Sequence, residues 1–424
     1  MQTQRTPAEM GPLADGQTVA IIGGGPGGMA CALALKREAD RRRRRVRVVV
    51  FEGKRFGLHY NQCSGVLSPP LQQILQKEYD ITLPAALCQR AIRGYVLHAE
   101  EGSVVLNGRE HGGVSLAVRR VEFDEFLERC ARERGIEVVE ARATDLEFRR
   151  DEVVVFTWGG TFRAAAVVGA FGLSRAMTAT LARCTPYRPP RALDTVVTNF
   201  HPAGEGYIPS LLDDHIHVLL PPLPRIEFGA LIPKGNHVTV IVAGEGARTD
   251  DMDAFLALPA VRRIASCRPD PEDYFRGRFP VSLAPGGFGD RYVTIGDAAG
   301  LVRPFKGKGI NSAIITGGLA AVTMVERGVS AEAFRSFHRR CAEITGDMPY
   351  GRLVRRLAHL TSHHFSLDPV VRLAEKSPAL REVLFDCVSG RESYRRIVCR
   401  RGNLPLAARL GAALVLDRVR RLFG

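Results

Sequence analysis

Residues 18–52, TVAIIGGGPGGMACALALKREADRRRRRVRVVVFE, decide the fold of this chain. The short apolar run at 19–22 is bounded by glycine, which predicts a buried parallel strand. Gly23, Gly25 and Gly28 follow at the G-x-G-x-x-G spacing. This spacing allows a tight turn, close approach of backbone to a pyrophosphate and close packing of a helix on the strand.

The second half of the stretch completes a strand, helix and strand unit. A helix is predicted from about residue 27 to 38, and a second strand over 46–51 ends at Glu52. The helix N-terminus favours an anion, and the acid at the strand end can accept hydrogen bonds from ribose hydroxyls. We therefore predict a dinucleotide site, and the acid at this position favours FAD or NAD over NADP.

Composition limits the kind of protein. The 424 residues can form two joined domains, and the formal net charge of +14 favours phosphates or an anionic membrane surface. The densest basic cluster, 41–45, can be a solvated connection between the first helix and the second strand. No motif for nucleic-acid recognition accompanies it, so we expect no nucleic-acid partner.

The cysteines favour a reducing compartment. They are odd in number, scattered and without a C-x-x-C pair, so we predict a cytoplasmic protein with no metal site and no disulfide framework. We find no signal peptide and no run long enough to span a membrane, and we predict that residues 1–16 are a disordered extension. The nine positions are 31, 63, 88, 130, 184, 267, 341, 387 and 399.

A glycine- and serine-flanked loop around Cys63 follows the first unit. A thiol just past the acid is well placed to face a cofactor or substrate, and the alternative is a small buried packing residue. Further on, Arg119 and Arg120 precede a predicted helix that ends at Gly135. Either arginine can neutralise cofactor phosphates or remain solvated.

A second chemical signal lies at 292–321, YVTIGDAAGLVRPFKGKGINSAIITGGLAA. A strand precedes Asp297, and Gly307, Gly309 and Asn311 open a helix rich in small residues. The acid can accept from ribityl hydroxyls, and the helix N-terminus can stabilise negative charge on a reduced isoalloxazine. We favour a second cofactor contact here over a generic strand-to-helix turn.

The last region, 331–424, is helical in pattern and basic. Its final helix is predicted to place Leu406, Leu410, Ala413, Leu414 and Leu422 on one face, with Arg409, Arg418, Arg420 and Arg421 available to the other. Either this helix packs on the domain, or its apolar face lies on a membrane surface.

Together these motifs resemble the FAD-dependent enzymes of the para-hydroxybenzoate hydroxylase fold, and within them the geranylgeranyl reductase branch. IIGGGPGGMACALAL with Glu52, VRRVEFDEFLERCARERGIEV and GDAAGLVRPFKGKGINSAIITGGLAA resemble the FAD-binding segments, and YNQCSGVLSP is similar to the reductase branch's cysteine loop. The resemblance implies FAD as cofactor and the following FAD-binding residues: Gly23, Gly25, Pro26, Gly27, Gly28, Glu52, Arg119, Arg120, Gly296, Asp297, Pro304, Gly307, Gly309, Ile310 and Asn311.

The implied fold is α/β. A Rossmann-like FAD-binding domain carries an inserted antiparallel-sheet substrate domain and a helical C-terminal region. The predicted FAD-binding domain is discontinuous, and the boundaries are 17–65, 113–180 and 275–330 for this domain, 66–112 and 181–274 for the substrate domain, and 331–424 for the helical region.

Two departures from the family pattern bear on function. The hydroxylases' second nucleotide motif has an aspartate before its glycine, whereas this chain has Ala170-Phe171-Gly172, which weakens the case for direct NADPH binding. The reductases commonly have a tyrosine and a tryptophan before a proline-lysine-glycine turn. Phe228, Ala230 and Ile232 precede Pro233-Lys234-Gly235 here, which indicates a reshaped cavity.

We predict a reductase that saturates carbon–carbon double bonds of an isoprenoid or similar lipid-like substrate. Reduced flavin delivers hydride, and Cys63, or a water that it positions, supplies the proton, with His59 and Tyr60 as second-choice donors. NADPH or ferredoxin is the candidate electron donor, a separate reductase is a further candidate partner, and the protein is expected in the cytoplasm or peripherally at a membrane. The alternatives are a flavin monooxygenase or halogenase, and a membrane- or partner-bound flavoprotein without turnover.

Overall fold

The computed structural model describes residues 10–55, 63–107, 114–202, 207–264, 273–303 and 308–423. His59, Tyr60, Pro304 and Gly307 lie outside these residues, as does most of the predicted N-terminal extension. For residues 10–16 the prediction of disorder is wrong, because Leu13 is fully buried and its N–H donates to the Met324 carbonyl at 3.2 Å.

The strands of the described chain are spread from residue 18 to residue 294, singly or in runs between helices. In chain order they are β1 Thr18–Ile22, β2 Arg47–Phe51, β3 Val66–Leu67, β4 Cys88–Ile92, β5 Gly94–His98, β6 Ser103–Asn107, β7 Ser115–Val118, β8 Glu137–Val139, β9 Ala143–Phe148, β10 Val153–Thr157, β11 Gly160–Ala164, β12 Ala166–Gly169, β13 Ala192–Phe200, β14 His215–Leu219, β15 Phe228–Pro233, β16 Val238–Gly244, β17 Phe275–Pro280, β18 Phe288–Gly289 and β19 Tyr292–Thr294.

The helices fill the connections and the C-terminal quarter. They are α1 Pro26–Arg41, α2 Leu71–Tyr79, α3 Arg120–Glu133, α4 Arg175–Cys184, α5 Tyr207–Leu211, α6 Thr249–Leu256, α7 Pro259–Arg262, α8 Gly296–Ala299, α9 Gly309–Glu326, α10 Ala331–Arg340, α11 Ala342–His364, α12 Asp368–Lys376, α13 Pro378–Ser389, α14 Tyr394–Cys399 and α15 Leu404–Phe423.

A six-stranded sheet in the order β18-β19-β12-β1-β2-β8 positions the predicted dinucleotide site. All of its pairs are parallel except β18 with β19. β1 lies inside the sheet between β12 and β2, with Ile21 level with Val168 and Val50. The four buried positions of β1, residues 19–22, are all apolar, as expected for a strand covered on both faces. The predicted Rossmann-like fold is confirmed.

Helix α9 packs along α1 beneath this sheet. A Cβ at Gly317 would lie 2.5 Å from the Gly27 carbonyl oxygen, so only glycine permits the close approach of the two helices here. The expectation that no run reaches membrane-spanning length is wrong for α9, which is long and apolar enough by length and composition. Since 61% of that stretch is buried in the fold, its apolar character serves the packing against α1.

The second large sheet has seven strands in the order β17-β13-β16-β15-β14-β5-β6. Its pairs are antiparallel except β14 with β5, which are parallel, so the predicted antiparallel block contains one parallel junction. That junction joins the strands of the 66–112 segment to those that follow residue 190. The division into domains remains a prediction.

Helices α12 and α13 cover one face of β5 and β6, and α15 packs on α12. Leu97, Leu106, Val371 and Leu414 belong to one buried apolar cluster there. The predicted helical C-terminal region is therefore packed onto the seven-stranded sheet, and the space between them forms part of the cavity described below.

Candidate active site

The glycine loop between β1 and α1 has the geometry that its spacing predicts. Gly23 has φ of +106°, and a Cβ there would overlap the Ala170 carbonyl oxygen. A Cβ at Gly28 would overlap the Gly23 carbonyl oxygen. By contrast, the nearest protein atom to a Cβ at Gly25 would be 3.9 Å away, on Arg120. Two glycines are therefore required by the protein itself, whereas Gly25 leaves open space for a ligand.

The Glu52 carboxylate is fixed at the end of β2. One oxygen accepts from the Gly24 N–H at 2.8 Å, and the other accepts from the Lys54 N–H at 2.8 Å. These bonds hold the carboxylate beside the glycine loop and leave lone pairs on both oxygens. Such a carboxylate can accept hydrogen bonds from a ribose.

The second predicted segment faces the same space. Gly296, Asp297, Gly309 and Ile310 line a cavity together with the glycine loop. The Gly296 N–H donates to the Thr316 hydroxyl at 3.1 Å, which ties α8 to α9. Burial raises the pKa of the Asp297 carboxyl to about 6, while the nearby Arg120 guanidinium opposes that rise. A half-buried carboxyl that faces a cavity favours polar partners, and the hydroxyl groups of a ribityl chain can provide them.

Of the two predicted arginines, Arg120 lines the cavity. Its Nε donates to Asp124 at 2.7 Å, and both side chains are largely buried. Burial is the largest single influence and would lower the pKa of the Arg120 guanidinium, but the Asp124 carboxylate and Cys63 together outweigh it, and the pKa lies above its ordinary value. Arg119 is 44% exposed and lies 3.7 Å from Glu122. Arg120 is therefore the fixed cation of the pair.

Cys63 lines the cavity at the start of the loop that leads to β3. Its Sγ accepts from the Gly65 N–H at 3.3 Å and from Nη1 of Arg120 at 3.7 Å. Two donors, one of them cationic, therefore face the sulfur.

Lys234, at the end of β15, is a buried cation that the sequence analysis did not select. Its side chain is 2% exposed, and its Nζ donates to the Val118 carbonyl at 2.5 Å. The Val118 N–H in turn donates to the Gly65 carbonyl at 2.7 Å, so Lys234 and the cysteine loop are tied to the same strand. Burial lowers the pKa of Lys234 to about 8, although attraction to Cys63 opposes the shift.

A second, half-buried lysine lies directly before α9. Lys308 is the residue before the helix and lines the cavity. Burial lowers its pKa to about 8, and the Arg303 guanidinium acts in the same direction. The sequence analysis selected Gly307 and Gly309 on either side of Lys308 but did not select the lysine itself. Its position between two glycines at a helix start was the available signal.

The cavity itself has a volume of about 1460 Å³. This exceeds the range of roughly 300–1,000 Å³ typical of a site for one small molecule. One end is formed by Gly25, Glu52, Asp297 and Gly309. The volume therefore has room for a dinucleotide and a second ligand.

The other end of the cavity is apolar. The seven-stranded sheet contributes Ile216, Val218, Ala230 and Ile241 to its wall. Helices α11, α13 and α15 close it with a further set of side chains, namely Leu353, Val354, Leu357, Leu380, Val383, Leu384, Leu406 and Leu410. Cys63 lies in the same cavity as this chamber and the polar end.

The structure thus brings most predicted site residues of the described chain together. Asn311 differs, because its amide donates to the Ser68 carbonyl at 2.8 Å and its side chain is buried there. Gly28 acts through packing, as described above. His59, Tyr60, Pro304 and Gly307 fall outside the described residues. No cluster of histidine, cysteine and carboxylate side chains that could hold a metal occurs in the part of the chain that the structure describes.

Comparison with known proteins identifies the domain. Residues 18–183 match the family model of FAD dependent oxidoreductases. The chain carries an FAD-dependent oxidoreductase domain. The glycine cradle, the fixed Glu52 carboxylate and the half-buried Asp297 fit FAD, so these groups are the ones that would hold the dinucleotide.

Two proteins similar to this chain carry the word reductase in their names. A digeranylgeranylglycerophospholipid reductase of Methanopyrus kandleri is 26% identical over 339 residues, which cover 76% of this chain and 84% of the relative. A geranylgeranyl bacteriochlorophyll reductase-like protein of Thermoplasma acidophilum superposes with a TM-score of 0.66 at 16% identity, covering 92% of this chain and 98% of that one.

The same fold also occurs in an enzyme of different chemistry. The flavin-dependent brominase Bmp2 superposes on the oxidoreductase with a TM-score of 0.65 at 16% identity, covering 93% of this chain and 99% of that one. Similarity at this identity shows the fold alone. The choice between reduction and oxygenation therefore depends on the site.

Proposed function

We propose that this FAD-dependent oxidoreductase reduces carbon–carbon double bonds of an isoprenoid or another lipid-like substrate. The observation that carries the proposal is the continuity of the cavity. A single space of about 1460 Å³ joins the glycine loop, Cys63 and a chamber walled by aliphatic side chains. A long hydrocarbon chain is the ligand class that such a chamber favours, because its burial is driven by removal of apolar surface from water.

The apolar chamber also suits the reaction. An isolated alkene is a poor hydride acceptor, so the site has to exclude water and compensate the charge that develops. Val218 and Ala230 on the sheet and Leu384 on α13 line the chamber without offering a polar group. FAD, when bound and reduced, supplies the hydride.

Cys63 is the proposed proton donor. Transfer of the Sγ proton to the substrate carbon leaves a thiolate, and the side chain is already placed to receive donors at that sulfur. The Gly65 N–H and the Arg120 guanidinium point at it, and Lys234 adds a second buried positive charge nearby. Arg120 is kept in position by its ion pair with Asp124. His59 and Tyr60 stay second-choice donors.

The electron donor is the remaining partner. We propose a ferredoxin-type protein ahead of NADPH, because Ala170 and Phe171 stand where the related hydroxylases have an acid. Arg175 and Arg276 line the cavity and are exposed, whereas Arg278 beside them is paired with Asp194 at 3.4 Å, so the rim keeps a cationic character. An acidic electron-transfer protein complements such a rim.

The test is a mass spectrum of prenyl lipids after incubation with the anaerobically reduced holoenzyme, repeated in air. Reduction predicts a gain of two hydrogens per double bond without oxygen. A product that gains oxygen or halogen, and only in air, would contradict the proposal and favour a monooxygenase or halogenase. In this experiment dithionite reduces the flavin. Repeating it with reduced ferredoxin or NADPH in place of dithionite identifies the electron donor.

The role of Cys63 is tested in the same assay. We expect Cys63→Ala to lower the rate of substrate reduction at least tenfold while the bound flavin is still reduced by dithionite. Cys63→Ser replaces the thiol by a hydroxyl at the same position and should retain part of the rate, with a changed pH profile. Unchanged turnover in Cys63→Ala would show that another group donates the proton.

A further inference from the structure

The outward surfaces of α11 and α15 are unusually apolar. Of the eleven large apolar side chains that are exposed in the described chain, seven belong to these two helices. They are Leu353, Leu357, Leu360, Leu404, Val415, Leu416 and Val419, and their exposed fractions run from 44% to 64%. Isolated exposed leucines are ordinary, but a concentration on two neighbouring helices marks an interaction surface.

The exposed face of α15 is not the face that the sequence analysis selected. Leu406, Leu410 and Leu414 of that predicted face pack inward on the seven-stranded sheet and α12, and Leu414 is only 8% exposed. The solvent-facing stripe includes Leu404, Val415 and Val419, which fall on the opposite side at 3.6 residues per turn. Helix α15 is therefore apolar on both sides, and the outer side has no partner within the described chain.

This surface surrounds an entrance to the apolar chamber. Leu353 and Leu357 on α11 line the cavity and are 44% and 55% exposed. Leu404 on α15 also lines the cavity and is 64% exposed. A side chain that touches both the cavity and solvent marks its mouth. The C-terminal ends of α11 and α15 are joined by a bond from Arg418 to the His364 carbonyl at 2.9 Å.

Positive charge accompanies the exposed stripes. Arg356 on α11 and Arg409 and Arg420 on α15 are exposed, and within the described residues none of the three forms an ion pair. Exposed apolar side chains beside unpaired arginines match the interface of a bilayer, which offers hydrocarbon and anionic headgroups at the same depth. A second copy of the chain fits less well, because an isologous contact would bring like-charged faces together.

We propose that the outer faces of α11 and α15 dock on an anionic lipid bilayer, so that a lipid-like substrate enters the chamber directly from the membrane. The inference rests on the proposed function for its substrate. It goes further in assigning the partner, the docking surface and the route of entry. Leu360, Val415 and Val419 insert among the acyl chains, and Arg409 and Arg420 contact the headgroups.

The test is flotation of the holoenzyme with vesicles of phosphatidylcholine alone or mixed with phosphatidylglycerol. We expect binding to the mixed vesicles that weakens with salt. The variant Leu360→Gln/Val415→Gln/Val419→Gln should lower the partition coefficient at least tenfold. Arg409→Glu/Arg420→Glu should lower it by a similar factor, since each arginine near an anionic surface contributes roughly fivefold. None of these side chains lines the cavity.

A matched control is Trp158→Gln, which removes the most exposed large apolar side chain, 90% exposed, from a distant hairpin. It should leave binding unchanged. The proposal would be overturned if Trp158→Gln lost as much vesicle binding as the triple variant, or if the triple variant bound as well as wild type. A lower molecular mass of the triple variant in solution would assign the surface to self-association instead. Because flotation requires no turnover, and detergent-dispersed substrate bypasses the membrane, failure here is distinguishable from failure of the proposed reaction.

Discussion

Replacing the buried Lys234 by methionine should change the pH dependence of stability in a defined way. The pKa of Lys234 lies near 8 in the folded protein, whereas an unburied lysine has about 10.5. Between these values the unfolded chain binds the proton and the folded protein does not, so the free energy of unfolding rises with pH. At one pKa unit per 1.36 kcal/mol, the buried ammonium costs about 3 kcal/mol at neutral pH.

The variant removes that cost together with one hydrogen bond. Loss of the bond from Nζ to the Val118 carbonyl costs about 1.5–3 kcal/mol, so Lys234→Met should be as stable as wild type at pH 7 or slightly more stable. The decisive quantity is the slope. From pH 7 to pH 9.5 the wild type should gain about 2 kcal/mol relative to Lys234→Met by the linkage relation.

The assay is urea denaturation of both proteins at a series of pH values, followed by turnover at pH 7. Lys77→Met, which removes an exposed lysine on α2, is the control and should retain the wild-type slope. We expect Lys234→Met to turn over more slowly in spite of its stability, because the thiolate of Cys63 loses a neighbouring cation. Parallel pH curves for wild type and Lys234→Met would refute the reasoning.

Two further predictions concern the two ends of the cavity. Gly25→Ala should lower FAD affinity at least tenfold without lowering the melting temperature of the apoprotein, because its Cβ meets no protein atom closer than 3.9 Å; Gly28→Ala should lower both, since its Cβ overlaps the Gly23 carbonyl. Flavin absorbance after gel filtration measures retained FAD, and thermal melts of the apoprotein measure stability. Equal results for Gly25→Ala and Gly28→Ala would count against the proposed role of Gly25 in FAD binding. Ala230→Trp fills part of the chamber wall and should shift preference toward shorter prenyl substrates, measured as the ratio of kcat/KM for two chain lengths at unchanged flavin content.

The glycine loop was predictable because most of its causes are local. A Cβ at Gly28 would overlap the Gly23 carbonyl within the same turn of six residues, and the following acid is placed by the strand that the same pattern predicts. Only the contact of Gly23 with the Ala170 carbonyl depends on a segment distant in sequence. Spacing therefore carries the information, and the FAD-binding fold follows from it. The boundaries of β1, β2 and α1 differ from the predicted ones by at most three residues.

The buried cation was not predictable, because its cause is distant in sequence. Lys234 acts on a carbonyl 116 residues earlier, and the strand that joins them to Cys63 belongs to a separate small sheet. In sequence, Lys234 stands in a proline-lysine-glycine turn, where an exposed lysine is the ordinary expectation. Only the tertiary structure shows that the side chain turns inward.

Which apolar face of α15 packs inward was ambiguous for a different reason. A helix with one apolar face reveals by periodicity which side packs, but α15 has apolar residues on both. Contacts with α12 and with the cluster around Leu97 select Leu410 and Leu414 for the inside. The pattern predicts that the helix packs, and the neighbours decide which face remains outside.

The two unusual features of this molecule, buried cations and an exposed apolar surface, have a common explanation in the proposed reaction. Delivery of hydride and a proton to an unactivated double bond requires a dry chamber, yet the acid that gives the proton becomes charged. In the proposed reaction, Arg120 and Lys234 allow that charge to form without water, at a cost in stability that a purely structural loop would not bear. The proposed substrate is nearly insoluble, so the mouth of the chamber has to open where such a molecule is found. An apolar mouth flanked by arginines meets that requirement at a membrane and would be a liability in water.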